Sequence, residues 1–175
     1  MIGHYVRRFF TGLSPRPPSA AEESWAGGLL SPPQFALLVR LSDYDRRHLI
    51  QSARMVEREL NSGSSPDADR VWIQAALLHD VGKFESHLGV FGRVAATVLA
   101  YGVGHDRVRR WAGTSGWRGR VGSYEMHGEI GAAEIRAAGG PEEAAMWSGL
   151  HHHRDQFAFA TIPPKILQIL DKADG

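Results

Sequence analysis

Apolar residues recur along most of the chain with the spacing of an amphipathic α-helix. In segment 43–60, Leu49, Met55, Val56 and Leu60 form one apolar stripe, as expected for one face of a helix. No segment shows the strict alternation of apolar and polar residues that marks a half-buried β-strand. We therefore predict an all-α fold with about six to eight helices. One further helix is expected to begin at Ser31. The remaining helices are expected to cover about 68–80, 90–100, 104–112, 124–138, 141–153 and the segment from Pro163 onward.

Two segments lack this periodicity. Residues 11–33 combine prolines with serine and glycine, a composition typical of a linker. We therefore expect residues 1–30 to form a loosely ordered N-terminal arm and residues 31–175 to form one domain. A short helix at 3–10 that packs its aromatic side chains on the domain is the alternative. Residues 113–123 are rich in glycine and serine and are predicted to form a loop.

Composition and charge exclude several classes of protein. The 175 residues are 43% hydrophobic and 22% charged, which is the balance of a soluble globular domain. A formal net charge of +1 argues against a stable complex with nucleic acid or a membrane surface. The chain has no cysteine, so disulfides, thiolate metal sites and cysteine nucleophiles are excluded. No apolar run has the length of a membrane span or a signal peptide, and we expect a cytoplasmic protein.

Residues with metal-binding side chains directly follow apolar helical stretches. His79 and Asp80 follow an Ala-Ala-Leu-Leu run. His151 and His152 follow Met-Trp-Ser-Gly-Leu, and Asp171 follows Ile-Leu-Gln-Ile-Leu. Each residue taken alone is explained as a hydrogen-bonded core histidine or a helix-end cap. Several buried imidazoles and carboxylates in one small domain are best stabilised around a shared cation.

The order of these residues resembles the HD-domain superfamily of metal-dependent phosphohydrolases. The resemblance covers about 40–175 and is greatest to the HD-GYP type, including the HDVGK and IPPKILQILD stretches. The Gly-Tyr-Pro signature of that type is absent, so cyclic di-GMP is not predicted as the substrate. The residues that carry the resemblance are His48 in DRRHLIQSA, His79 and Asp80 in LLHDVGKF, His127 in MHGEIGAAEI, His151 and His152 in LHHHRD, and Asp171 in ILDKADG.

The resemblance implies a helical bundle that holds one or two divalent metal ions. A first site would consist of His48, His79, Asp80 and Asp171. A second would consist of His127, His151 and the other oxygen of Asp80, with His152 as a further ligand or a neighbour that orients one. Because His153 is adjacent, the register of the triplet is open by one residue. Nitrogen and carboxylate donors without sulfur suit iron, manganese, zinc, cobalt or nickel.

The resemblance also implies hydrolysis of a phosphate ester or anhydride, with a nucleotide or related small molecule as substrate. A metal-bound hydroxide would attack the phosphorus, and Asp80 would be essential because it bridges the two metal ions. Lys83, one turn past Asp80, would contact a substrate phosphate as a point charge. The alternative for Lys83 is a surface lysine that stabilises the C-terminus of its helix.

Other interpretations remain open at this point. The same ligand set resembles the inositol-oxygenase branch, in which two iron ions activate oxygen, and a non-catalytic sensor domain would share the fold. A cluster of arginines with Trp111 and Trp117 could form a lid over phosphates, although we favour a solvated basic face. His4, His87 and His105 have no place in the pattern. The arginines are Arg107, Arg109, Arg110, Arg118 and Arg120.

Overall fold

The computed structural model describes residues 16–60 and 66–175, except for the side chains of 66–68. The described residues form α-helices and two 3-10 helices and contain no β-strand, which confirms the all-α prediction. The α-helices are α1 (Ala20–Leu29), α2 (Pro32–Val39), α3 (Asp43–Leu60), α4 (Pro66–Leu78), α5 (Val90–Val103), α6 (His105–Arg109), α7 (Gly116–Glu125), α8 (His127–Ala137), α9 (Glu142–Leu150) and α10 (Pro164–Asp174). The 3-10 helices are Val81–Ser86 and Arg154–Phe159.

The described part of the chain has more helices than the six to eight predicted, and α7 is one reason. It occupies most of 113–123, which was predicted to be a loop. Two of its glycines pack against neighbouring backbone. A Cβ at Gly119 would lie 1.8 Å from the carbonyl oxygen of Thr114, and one at Gly122 would lie 2.2 Å from the amide nitrogen of Ala112. These glycines permit close packing, whereas the sequence pattern indicated flexibility.

The second additional helix is α1, within the segment expected to be a loosely ordered arm. Ser19 caps this helix, and its hydroxyl and amide bond reciprocally with Glu22. Ala26 is completely buried, and the guanidinium of Arg54 lies 3.7 Å from the ring centre of Trp25. Residues 20–30 are therefore part of the folded domain, because capping and burial outweigh the glycine and serine content. The alternative helix at 3–10 lies outside the described residues.

The helices enclose two apolar clusters of different size. The larger one joins α1–α4 with α8–α10 and surrounds the buried Trp147. The smaller one joins α5, α6 and α7 around Ala100 and Val108. A partly buried ion pair, 2.6 Å between Arg93 Nη1 and Asp45 Oδ1, connects α5 to α3. No helix in the described part of the chain is both long and apolar enough to cross a membrane.

Three glycines bring the first 3-10 helix, which follows α4, and helix α8 unusually close to their neighbours. A Cβ at Gly82 would lie 2.0 Å from the carbonyl oxygen of His127. One at Gly128 would lie 2.6 Å from the carbonyl oxygen of Ser148, and one at Gly131 would lie 2.5 Å from Ser148 Oγ. The first 3-10 helix, α8 and α9 therefore meet at a spacing that no larger residue allows. Each of these segments adjoins a histidine of the predicted site.

We predict that Gly82→Ala destabilises the protein by about 1–3 kcal/mol, because the added methyl would overlap the backbone at His127. Gly102→Ala is the matched control, since a Cβ at Gly102 in α5 meets nothing within 4 Å. That substitution should be neutral or stabilising by up to about 1 kcal/mol. Urea unfolding monitored by circular dichroism measures both variants. Equal stability of the two variants would contradict the packing described here.

Candidate metal centre

A buried carboxylate, that of Asp80, lies at the middle of the predicted ligands. Only 1% of this residue is exposed. Its Oδ1 lies 3.3 Å from Nε2 of His127 and 3.3 Å from Nε2 of His151. Its Oδ2 lies 3.6 Å from Nε2 of His79 and also contacts the ammonium of Lys83. The two oxygens of one side chain thus face two different groups of histidines.

The first group lies on the Oδ2 side and draws on three parts of the chain. It consists of His48 from α3, His79 and Asp80 from the end of α4, and Asp174 from α10. Asp174 Oδ1 lies 3.1 Å from Nε2 of His79 and 3.5 Å from Nε2 of His48. One ligand atom of each residue lies within 4.8 Å of the others, so the group could hold a metal ion.

Asp174 takes the position that the sequence pattern gave to Asp171. Asp171 lies outside both groups, and its Oδ1 accepts a hydrogen bond of 2.8 Å from Nε of Arg154. The two aspartates are three residues apart and therefore lie on the same side of α10. Spacing alone cannot distinguish them. The packing of α10 against α3 and α4 decides between them.

The second group lies on the Oδ1 side of Asp80. It consists of Asp80, His127, His151 and His152, again with one ligand atom each within 4.8 Å of the others. The Nε2 atoms of His127 and His152 are 3.1 Å apart. His153 instead points towards Glu129, with 4.0 Å between Nε2 and Oε1. The structure therefore places the first two histidines of the triplet at the centre and leaves the third outside it.

Hydrogen bonds to the main chain orient three of the imidazoles. Nδ1 of His79 lies 3.0 Å from the carbonyl oxygen of Ala76, three residues earlier. Nδ1 of His127 and of His151 make the equivalent contacts, at 2.5 Å and 2.7 Å. A carbonyl oxygen only accepts, so Nδ1 carries the proton and donates it. Each Nε2 then faces the centre, which is the usual arrangement of metal-binding histidines.

Two buried acceptors at the centre have no hydrogen-bond partner among the described residues. They are Oδ1 of Asp80 and Nε2 of His151. The two atoms lie 3.3 Å apart, so one ion could contact both. Leaving buried acceptors unsatisfied costs about 1–3 kcal/mol each. A cation would satisfy both at once. The donor atoms and their orientation therefore fit a metal ion.

Burial and charge set the protonation states of the ligands. Burial disfavours the imidazolium and lowers the pKa of His151. Desolvation of the His152 ring by the packed imidazoles, together with the nearby His151 and His127, lowers its pKa well below the usual range, although part of this residue is exposed. Both rings are thus neutral and able to bind a metal ion. Burial alone would raise the pKa of Asp80, but Lys83 and His79 hold it well below the ordinary value. The carboxylate is therefore ionised.

His79 is the exception among the buried imidazoles. Burial opposes its protonation, but the negative charges of Asp80 and Asp174 outweigh that effect and raise its pKa. The first group therefore already attracts positive charge on His79. A metal ion would supply that charge in place of the proton, so metal binding and protonation of His79 should compete.

Lys83 belongs to the first 3-10 helix and lies against the centre. Its ammonium pairs with Oδ2 of Asp80, and 14% of its side chain is exposed. It is thus not a surface lysine at a helix end. In this structure its charge compensates the buried carboxylate, and contact with a substrate phosphate stays a prediction.

A cavity of about 840 Å³ opens beside the second group. His127, His151 and His152 line one part of it, and Tyr101, His105 and Arg109 from α5 and α6 line another. His105 Nδ1 lies 2.6 Å from Oε1 of Glu125, and Arg109 pairs with Glu129. The second group is therefore within reach of a small molecule.

Of the arginines considered as a lid, Arg109 lines this cavity. Arg118 instead stacks near Trp111 and Trp117, at 5.6 Å and 5.5 Å from their ring centres. Trp111 packs on the smaller apolar cluster, whereas Trp117 is exposed, so the structure supports an anchoring role for Trp111 and not for Trp117. His105 gave no signal in the sequence, because its neighbours are polar and its position depends on how α6 packs.

Comparison with known proteins yields no match: no family model, curated protein or solved structure is significantly similar to this chain. The chemistry of the centre is therefore inferred from its ligand atoms, their burial and the cavity beside them.

Substitution of the two aspartates of α10 distinguishes their roles. We predict that Asp174→Asn lowers the metal content by about one ion per chain, because it removes a charged ligand of the first group. Asp171→Asn should leave the metal content unchanged and only remove the ion pair with Arg154. Elemental analysis of both purified variants after reconstitution measures this. Metal loss in Asp171→Asn, with unchanged metal content in Asp174→Asn, would show that Asp171 is the ligand.

Proposed function

We propose that this protein is a metal-dependent phosphohydrolase that acts on a phosphate ester or anhydride of a small molecule. The observation that carries the proposal is the position of Asp80, whose two oxygens serve two histidine groups. The cavity beside one of these groups admits a substrate. Two neighbouring metal ions are common in phosphohydrolases, where they stabilise the attacking and leaving oxygens during in-line displacement at phosphorus.

The two groups would each hold one metal ion. His48, His79, Asp80 and Asp174 would bind the first, and Asp80, His127, His151 and His152 would bind the second. Such a pair supplies a nucleophile from water at neutral pH and neutralises the charge on the phosphoryl oxygens. The donor set suits iron, manganese, zinc, cobalt or nickel and excludes a site that depends on thiolates.

The protein's own side chains supply orientation and charge. The three main-chain hydrogen bonds to Nδ1 fix the rings of His79, His127 and His151, so little reorganisation is needed when substrate binds. Arg109 borders the cavity and offers a planar donor pair that suits a phosphate. Lys83 adds a second positive charge close to Asp80.

Asp80→Asn should test the proposal because it keeps the shape of the side chain and removes its charge. We expect the variant to lose most of its metal and to release phosphate on the order of 10³-fold more slowly than wild type, as when a principal electrostatic group is lost. The assay is inorganic phosphate release from a panel of phosphate esters and nucleotides with added manganese, zinc or iron. Asp155→Asn, at an exposed position, is the control.

The same preparation separates the proposal from its alternatives. If Asp80→Asn kept the metal content and turnover of the wild type, the assignment of Asp80 as a metal ligand would be wrong. Iron bound in pairs, with oxygen uptake and no phosphate release, would support the di-iron oxygenase. Metal binding without either reaction would support a sensor domain that keeps the fold and its ligands.

Lys83→Ala should separate substrate contact from metal binding. We predict that this variant retains its metal, because Lys83 is not a ligand, and that its kcat/KM for phosphate esters falls by about 10- to 100-fold through loss of a charged contact. Lys83→Arg should keep part of the activity because it keeps the charge. Steady-state kinetics and elemental analysis are the measurements. An unchanged kcat/KM in Lys83→Ala would exclude a contact with substrate.

A further inference from the structure

A groove of about 630 Å³ lies next to the cavity of the proposed metal centre. Much of its lining is apolar, and the side chains come from α8, α9 and the second 3-10 helix together with the residues that follow it. We call it the apolar groove. Its apolar lining residues are Ala132, Ala145, Met146, Leu150, Phe159 and Ala160.

The apolar groove borders the cavity beside the metal centre and follows two antiparallel helices away from it. His127 is the first residue of α8 and His151 directly follows α9, yet both contact the same oxygen of Asp80. The two helices therefore run in opposite directions from one end. On α8 the lining residues extend from Glu129 to Arg136, which corresponds to about 10 Å along the helix axis.

The apolar groove and the metal cavity share part of their walls. Glu129, Gly149 and Gln156 line both. Gly149 carries no side chain, and a Cβ there would meet nothing within 4 Å, so no side chain of this residue separates the two spaces. The carboxylate of Glu129 is paired with Arg109, which neutralises the charge at the junction.

The rim of the apolar groove exposes an aromatic ring to solvent. Phe159, in the second 3-10 helix, is 86% exposed, and it is the most exposed large apolar side chain among the described residues. A single exposed ring is common on protein surfaces, but this one borders an apolar groove and extends its apolar surface. Because the groove leads into the metal cavity, the substrate itself is the ligand in the right position to cover it.

From this geometry we infer that the substrate is a phosphate ester whose esterified group is elongated and apolar. The phosphate lies at the histidine and aspartate groups, and the apolar chain passes Gly149 into the apolar groove. This inference rests on the proposed hydrolase function and narrows its substrate class. It favours an alkyl or similarly apolar ester over a nucleotide, whose sugar and base would place polar groups against Ala132, Met146 and Phe159.

The inference is tested by calorimetric binding of methyl-, butyl- and octylphosphonate to the metal-loaded full chain, below micelle-forming concentrations. Phosphonates resist hydrolysis, so binding is measured apart from turnover. We expect affinity to rise about three- to fourfold for each methylene that is buried, until the apolar groove is filled. Turnover of methyl phosphate, octyl phosphate and adenosine monophosphate is measured in parallel.

Two variants localise the effect. Ala160→Trp should fill the apolar groove, and Gly149→Leu should block the passage at a position with free space for the side chain. Each should reduce the affinity for octylphosphonate by tenfold or more. Ala160 does not line the metal cavity, so Ala160→Trp should leave methylphosphonate within about threefold of wild type. The matched controls are Ala158→Trp, at an exposed position in the second 3-10 helix, which directly precedes Ala160, and Gly102→Leu, at a helical glycine with equally free space.

The outcomes separate this inference from the proposed function. Chain-length dependence that both variants abolish supports the apolar groove, even if octyl phosphate is never hydrolysed, in which case the hydrolase proposal fails alone. Phosphate release from adenosine monophosphate would support the hydrolase proposal. If the phosphonate affinity were then independent of chain length, the inference about the apolar groove would be wrong. Octylphosphonate affinity that is unchanged in both variants would also overturn it.

Discussion

The buried negative charge of Asp80 is the constraint on which the rest of the centre depends. An ionised carboxylate with 1% exposure is stable only if compensating charge and hydrogen bonds surround it. The ammonium of Lys83 provides part of that compensation. The imidazolium of His79, which the raised pKa of this residue favours, provides another part. Oδ1 nevertheless faces the lone pair of His151 without a donor between them. A cation at each oxygen resolves this imbalance, and the two histidine groups supply the remaining ligands.

The fold serves this carboxylate through close backbone packing. Gly82 allows the first 3-10 helix to approach α8, and Gly128 and Gly131 allow α8 to approach α9, within distances that a Cβ would prevent. Ser148, buried between them, donates its hydroxyl to the carbonyl oxygen of His79, and its own carbonyl oxygen accepts from His151. The same contacts that position the ligands thus hold the helices together. Loss of this packing should disturb metal binding and stability at once.

The helices and apolar stretches that follow from residue spacing could be predicted from the sequence. The features that depend on how helices pack against each other could not. The bounds of α3 and the set of apolar stretches before His79 and His151 follow from spacing alone. The choice of Asp174 over Asp171 depends on how α10 packs, because both residues lie on one face. Helix α7 was missed because its glycines fit tight contacts, and His105 was missed because α6 brings it to the cavity only in three dimensions.

The most direct test of the account is the metal content of the purified protein, measured by elemental analysis before and after reconstitution with manganese, iron or zinc. The account predicts one to two ions per chain, with two at saturation, because the described residues provide two ligand groups around one shared carboxylate. A chain that binds no transition metal after reconstitution would contradict it. The histidines and Asp80 would then be a structural network in which Lys83 and a protonated His79 compensate the carboxylate.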